Sequence, residues 1–309
     1  MQNIVVVGSA NMDIYVNTEY LPEPGETVIS KDYLMTVGGK GANQAVAARQ
    51  LGADVSMIGK VGDDSFGQEI IDTLQKYKVT TKHILKDPTV GSGMAVIIVD
   101  EEPQNVIAVT PGSNMQLSVE DINSKREIIE NAEIVLAQLE IPLEVICQIG
   151  MLLKDRGGLF ILNPAPAKQL DRSIIEMVDV LTPNQTEAKI LTGIDSESLE
   201  GASLAGRKLL KMGAKEVIVT MGKQGSLYIS PDLEEFIPAY EIKDAVDPSG
   251  AGDAFMGGFS VALLEGKQML EAIRYGNLIG GLSTRKNGAM PSMPCLHEVK
   301  SFINEMENK

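Results

Sequence analysis

Along most of the chain, short apolar runs closed by glycine alternate with stretches whose apolar residues recur at helical spacing. Ile4–Val7 is a continuous apolar run ending in Gly8, the pattern of a parallel strand buried on both faces. Gly41–Leu51 follows as an Ala-rich helix ended by Gly52. Val55–Ile58 is the next strand and Ser65–Tyr77 the next amphipathic helix. The rhythm continues with strand Ile134–Ala137, helix Leu143–Lys154, and strands Leu159–Leu162 and Val178–Leu181. Helix Ser203–Met212 and strand Val217–Thr220 complete it. This alternation predicts a three-layer α/β/α sandwich around a mainly parallel sheet.

Two segments break the rhythm. Residues 12–37 carry β-type runs around Leu21–Gly25 with no helix signal. Residues 94–110 read as a hairpin, with Ile97–Val99 and Val106–Val109 flanking the acidic turn Asp100–Asn105. Together they form one small accessory sheet, made of two separate insertions into one large α/β domain spanning 1–309. A lid over a site is the natural use of such a sheet. Extra strands on the main sheet explain the same pattern.

Composition narrows the partners. Over 309 residues the formal charge is −15, so the surface repels nucleic acid. An anionic ligand must find local positive potential at helix N-termini, lysines or a metal ion. Cys147 and Cys295 stand at no metal-ligand spacing and suit a reducing compartment. His83 and His297 are too far apart in sequence to suggest a zinc site. The run after Met1 is too short for a signal core, and no apolar stretch could span a bilayer. A cytoplasmic protein is expected.

The chemistry concentrates in glycine-rich turns. Asp253 follows Gly250-Ala251-Gly252 and opens a small-residue helical run. A helix that starts in such a turn leaves N–H groups free to bind a phosphate, and a carboxylate beside them can take a hydroxyl proton. Gly38–Asn43 leads directly into a helix and lets a ligand approach the backbone, although a tight turn explains the same residues. Asn11 and Asp13 follow the first strand and could clamp neighbouring sugar hydroxyls, or form an Asx turn. Asn184 and Glu187 fall one helical turn apart, which is also a helix-start signature. Thr220–Gly225 could line a nucleotide or merely turn the chain. No P-loop, dinucleotide fingerprint or His-Glu-x-x-His motif is present.

Taken together these residues resemble the ribokinase-like (PfkB) family of carbohydrate kinases over nearly the whole chain. The resemblance rests on Pro24–Val28, Gly38–Ala48, Gly62–Asp64, Gln138–Glu140, Asn163–Ala167, Thr182–Glu187 and Gly250–Phe255. It implies that Asp253 is the catalytic base and that Gly250, Ala251 and Gly252 form the anion hole. Asn11, Asp13, Gly39, Lys40, Asn43 and Glu140 would hold the sugar. Asn184, Thr220, Gly222, Gly225, Gly252 and Asn277 would lie along ATP. The resemblance further implies Mg²⁺ with ATP, and a monovalent cation, K⁺, near Asp247, Ser249, Ser283, Lys286, Gly288 and Ser292, largely on backbone oxygens. A homodimer formed through the lid sheet is also implied. Two departures stand out. Many members read Asp-Thr-Thr-Gly where this chain has Asp247-Pro248-Ser249-Gly250, and ribokinase-type members often carry Gln where Met290 stands.

The leading expectation is phosphorylation of D-ribose to D-ribose 5-phosphate. Deoxyribose, a nucleoside or another sugar is the alternative on the same fold, and a non-catalytic sugar-binding regulator is the alternative of another class. No Arg lies in the sugar motifs, which disfavours an acidic sugar. With no Trp, seven Tyr and six Phe, composition does not favour stacking on a nucleoside base.

Overall fold

The structure, a computed structural model, describes residues 3–102 and 104–307. Its strands are β1 (Asn3–Val7), β2 (Asn11–Asn17), β3 (Asp32–Gly38), β4 (Asp54–Gly62), β5 (Thr80–Asp87), β6 (Gly93–Val99) and β7 (Asn105–Thr110). They continue as β8 (Ile134–Gln138), β9 (Leu159–Asn163), β10 (Val180–Leu181), β11 (Glu216–Thr220), β12 (Gly225–Ile229) and β13 (Glu234–Pro238). The main sheet has the order β13-β12-β11-β10-β9-β8-β1-β4-β5. It is parallel from β11 to β5, and at the other edge β12 alone runs against the rest, pairing antiparallel with both β11 and β13.

The apolar runs are continuous because both faces of this sheet are covered. On β1, Ile4 and Val6 point into one core and Val5 and Val7 into the other, all fully buried. The first core is closed by helices Lys40–Gln50, Ser65–Lys76, Ala251–Leu264 and Met269–Ser283. The second is closed by helices Leu143–Leu153, Gln185–Thr192 and Leu199–Lys211, among others. The three-layer α/β/α sandwich is therefore the observed architecture.

The two interrupting segments meet in a separate four-stranded sheet of order β3-β2-β6-β7, the lid. Strand β2 pairs antiparallel with β3 and parallel with β6, while β6 and β7 form the expected hairpin. Elsewhere the limits of elements move for local reasons. The strand expected at Val178–Leu181 shrinks to Val180–Leu181, because Val178 N–H closes the preceding helical turn onto Ile175 O. The helix expected from Ser203 begins at Leu199, where the Ser198 side chain accepts from Gly201 N–H. The hairpin β12–β13, strand β5 and the helices after residue 268 had no counterpart in the sequence reading. Among the described residues no helix is long and apolar enough to cross a membrane.

One packing contact sets the geometry of the site. Helices Lys40–Gln50 and Ala251–Leu264 cross closely, and a Cβ on Gly257 would lie 2.5 Å from the Ala47 Cβ. Small residues on both helices bring their N-terminal turns together at the carboxyl ends of the strands.

Candidate active site

Asp253 lies in the first turn of helix Ala251–Leu264 and is buried. Its Oδ2 accepts from Asn43 Nδ2 at 3.0 Å and its Oδ1 from Gln44 Nε2 at 3.0 Å. Gly250, in the left-handed region at φ 75°, turns the chain into this helix. Among the described residues nothing accepts from the N–H groups of Gly252 and Asp253, so they are available to an anion. A Cβ on Gly252 would meet nothing within 4 Å, so the space in front of it is open. Ala251 differs from the expected anion hole, because its N–H is engaged by Pro248 O at 3.1 Å.

The expected sugar residues gather around this carboxylate. Asp13 stands on β2 at a register position opposite Thr36 of β3, and a Cβ on neighbouring Gly38 would fall 2.0 Å from its Oδ2. Burial, and then the charges of Glu140 and Asp253, push the Asp13 carboxyl up to about 7. Glu140 accepts from the Ser9 hydroxyl and from Lys40 N–H through one oxygen. Gly39 packs against the Asn11 backbone, where a Cβ would come within 2.9 Å of Asn11 N. The Lys40 ammonium is buried, which lowers its pKa, but Asp253, Glu140 and Glu187 outweigh that cost and the net shift is upward. Lys40 is therefore a firmly held cation among carboxylates.

Sequence reasoning missed the residues that orient these groups. Asn114, in the turn after β7, donates to Asn11 Oδ1 at 2.7 Å, which leaves the Asn11 NH₂ group free for a ligand. Gln138, Gln44 and Asn163 form a second chain that ends on Asp253. Gln44, Gln138 and Asn163 stand within motifs that carry the family resemblance, but their orienting role is set by partners about ninety to two hundred residues away, so no local signal gives it.

The expected nucleotide residues also meet. Asn184, Thr220, Gly222, Gly225, Gly252 and Asn277 line one cavity of about 570 Å³. Its remaining wall includes Tyr240, Ile242 and Val246, an apolar face absent from the sequence reading. A smaller cavity of about 200 Å³, lined by Lys40, Glu187, Gly250 and Asp253, shares Gly252 and Asn184 with it. Asn184 and Glu187 do form a capping box: Asn184 Oδ1 accepts from Glu187 N–H at 2.8 Å, and Glu187 Oε2 accepts from Asn184 N–H at 2.8 Å. Burial pushes the Glu187 carboxyl up, opposed by its bond from the Asn184 backbone and by Lys40. The helix-start reading of this motif is thus realised, and Asn184 also lines both cavities.

The expected cation residues are arranged around Asp247. Its two oxygens accept from Ser249 N–H at 2.8 Å and Gly288 N–H at 2.7 Å. Burial would raise its pKa, yet the hydrogen bonds from Ser249 and Gly288 hold it below the usual range. Val246 and Asp247 N–H groups both donate to Thr284 O, tying this turn to the end of helix Met269–Ser283. The Ser283 and Ser292 hydroxyls donate to Gly280 O and Ala289 O, and the Lys286 ammonium pairs with Glu298. The Asp247 carboxylate is thus the anionic group of this loop, where the resemblance would put a monovalent cation. Among the described residues no three His, Cys, Asp or Glu cluster as a metal site.

A free anion-binding helix start, a buried carboxylate and an adjoining nucleotide-sized groove define a phosphoryl-transfer enzyme. The pattern of the pfkB family of carbohydrate kinases matches residues 1–295. Ribokinase of Bacillus subtilis is 38% identical over 98% of this chain and 100% of its own length. Deoxyribokinase of Salmonella typhi is 36% identical over 98% of this chain and 99% of its own. The structure of Arabidopsis thaliana ribokinase complexed with ribose and ATP superposes with a TM-score of 0.92 at 34% identity, covering 98% of this chain and 99% of that one. The chain belongs to the pfkB carbohydrate kinase family and is an ATP-dependent sugar kinase.

Proposed function

We propose that this enzyme transfers the γ-phosphoryl group of ATP to the primary hydroxyl of D-ribose, giving D-ribose 5-phosphate and ADP. The observation that carries the reading is the position of Asp253, which faces the sugar cluster while the free N–H groups of its own helix start face the nucleotide groove. Asn11, Asp13, Gly39, Lys40, Asn43 and Glu140 clamp the sugar. Asn184, Thr220, Gly222, Gly225 and Asn277 hold ATP along the groove. The hydroxyl oxygen bonds to the γ-phosphorus as the bond to the ADP oxygen breaks, and Asp253 takes the hydroxyl proton. Because that transition state is loose in most analyses, proton removal comes late, and positioning and charge neutralisation carry the rate. The N–H groups of Gly252 and Asp253 stabilise the transferring group. Mg²⁺ arriving with ATP would neutralise the phosphates further, and the Asp247 loop would hold K⁺, which would add positive charge.

Replacing Asp253 with Asn is expected to lower kcat by about 10³-fold or more. A folded variant with near-normal turnover would show that another group is the base. Deoxyribose is the second reading, since a deoxyribokinase is about as similar to the chain as the ribokinases are. A site built to bond a hydroxyl rejects the analogue that lacks it by a large factor. Comparing kcat/KM for ribose and 2-deoxyribose decides, and a higher value for any other acceptor overturns the ribose assignment.

The kinase is further proposed to be one α/β domain with a lid that works in the cytoplasm, where its free thiols Cys147 and Cys295 stay reduced. We also propose a dimer through the lid sheet, whose exposed residues include Tyr33, Leu34, Met35, Val106, Ile107 and Val109. Sedimentation of Ile107→Glu tests this: a monomer supports it, and an unchanged dimer refutes it.

A further inference from the structure

Gln44 sits directly behind Asp253 and has no exposed surface. Both N–H groups and the oxygen of its side-chain amide are engaged by protein groups. Nε2 donates to Asp253 Oδ1 at 3.0 Å and to Asn163 Oδ1 at 3.2 Å, and Oε1 accepts from Gln138 Nε2 at 2.7 Å. Asn163 in turn donates through Nδ2 to the backbone oxygen of Thr182 at 3.0 Å. Gln138 ends β8 and Asn163 ends β9, while Thr182 immediately follows β10, so the chain of amides runs across the ends of three adjacent parallel strands.

The direction of this chain is fixed at both ends. A backbone carbonyl can only accept, so Asn163 must present its NH₂ to Thr182 and its oxygen to Gln44. An ionised carboxylate can only accept, so Gln44 must present its NH₂ to Asp253. The Gln44 oxygen is then left facing Gln138, which supplies a donor. A Gln44 amide turned the other way would set its oxygen against both Asp253 and Asn163, and each contact would be repulsive. Gln138 itself is confined, because a Cβ on Gly8 would lie 2.1 Å from its Oε1.

We propose that Gln44 is the positioning residue of the catalytic base, with Gln138 and Asn163 holding Gln44 in the one orientation that can donate to Asp253. The proposal rests on Asp253 being the base. Gln44 fixes the carboxylate plane, so that an oxygen meets the substrate hydroxyl without reorganisation. Nothing places Gln44 against sugar or nucleotide, so its loss should appear in kcat and leave both KM values alone.

The experiment compares Gln44→Leu and Gln138→Leu in the wild-type and Asp253→Asn backgrounds of the full chain by steady-state kinetics. Gln44→Leu is expected to lower kcat by about 10- to 100-fold and leave KM for ribose and ATP within about threefold. Gln138→Leu, which does not touch Asp253, should lower kcat by a smaller factor with the same KM pattern. In the Asp253→Asn background neither substitution should cost more, because no base remains to be positioned. Equal losses in both backgrounds, a loss confined to KM, or an unchanged kcat overturns the proposal. If Gln44→Leu does not fold, Gln138→Leu carries the same comparison. Asp253→Asn alone keeping normal turnover would instead overturn the assignment of the base.

Discussion

At the sugar end of the cleft, Asp13, Lys40, Glu140 and Asp253 are charged side chains drawn from the lid, a helix start, a strand end and a second helix start. At the nucleotide end, the walls are glycine backbone at 222, 225 and 252, with Tyr240, Ile242 and Val246 as an apolar face. The first half depends on which protons its acids carry, since three carboxylates and a lysine share little solvent. The second half depends mainly on space and free N–H groups, although its lining also holds Lys223 and Asp247. One cleft thus joins a titratable half to a steric half, and Asp253 and Gly252 are neighbours in sequence on either side of that division.

The largest effect that would break this contrast is steric. Gly252→Val should fold normally, since a Cβ there meets no protein atom within 4 Å, yet its side chain fills the space before the free N–H groups. A fall in kcat/KM for ATP of about 10²-fold at unchanged melting temperature is expected. Near-normal kinetics would mean that the phosphates pass elsewhere.

The next prediction concerns charge. The Asp13 carboxyl titrates near 7 in the folded protein and near 3.8 unfolded, so the folded state keeps a proton that the unfolded chain gives up. The stability this contributes is present below pH 3.8 and is lost as pH rises through 7. Its full span is about 4 kcal/mol. Without ligand, the wild type should lose more melting temperature between pH 4 and pH 8 than Asp13→Asn does. Ribose affinity should strengthen over the upper part of the same window, as the carboxylate that accepts from sugar hydroxyls becomes ionised. Parallel melting curves for the two proteins would remove Asp13 as the titrating group.

The smallest effect sharpens the apolar side. Val246 is largely exposed but lines the groove, so a bound nucleotide would cover it. Val246→Ser should raise KM for ATP by about fivefold, corresponding to about 1 kcal/mol of lost apolar burial, with kcat and the pH profile unchanged. A shift in the acidic limb instead would show that the two ends are not independent.

The same division separates what could be read in advance. The Gly250–Asp253 turn announced itself because backbone chemistry is local: glycines, a helix start and a carboxylate stand within four positions. The Gly222–Gly225 turn and the Asn184 helix start were legible as local motifs for the same reason. The roles of Asn114, Gln44, Gln138 and Asn163 were not, because an amide takes its meaning from the partner it faces. Ala251 shows the limit within a legible motif, since only the path of the turn revealed that its N–H closes onto Pro248. The apolar wall at Tyr240–Val246 escaped notice because it follows the unread hairpin β12–β13.

By itself the sequence determined the alternation of buried strands and helices, the lid as two interrupting segments, and the turn that can hold a phosphate beside a base. Each follows from periodicity or from backbone freedom at glycine, which act over a few residues. Only the tertiary structure decided which acids share burial, which amides point where, and how closely helices Lys40–Gln50 and Ala251–Leu264 approach. Those outcomes depend on desolvation and on contacts between residues up to about two hundred positions apart, and both exist only once the chain has packed.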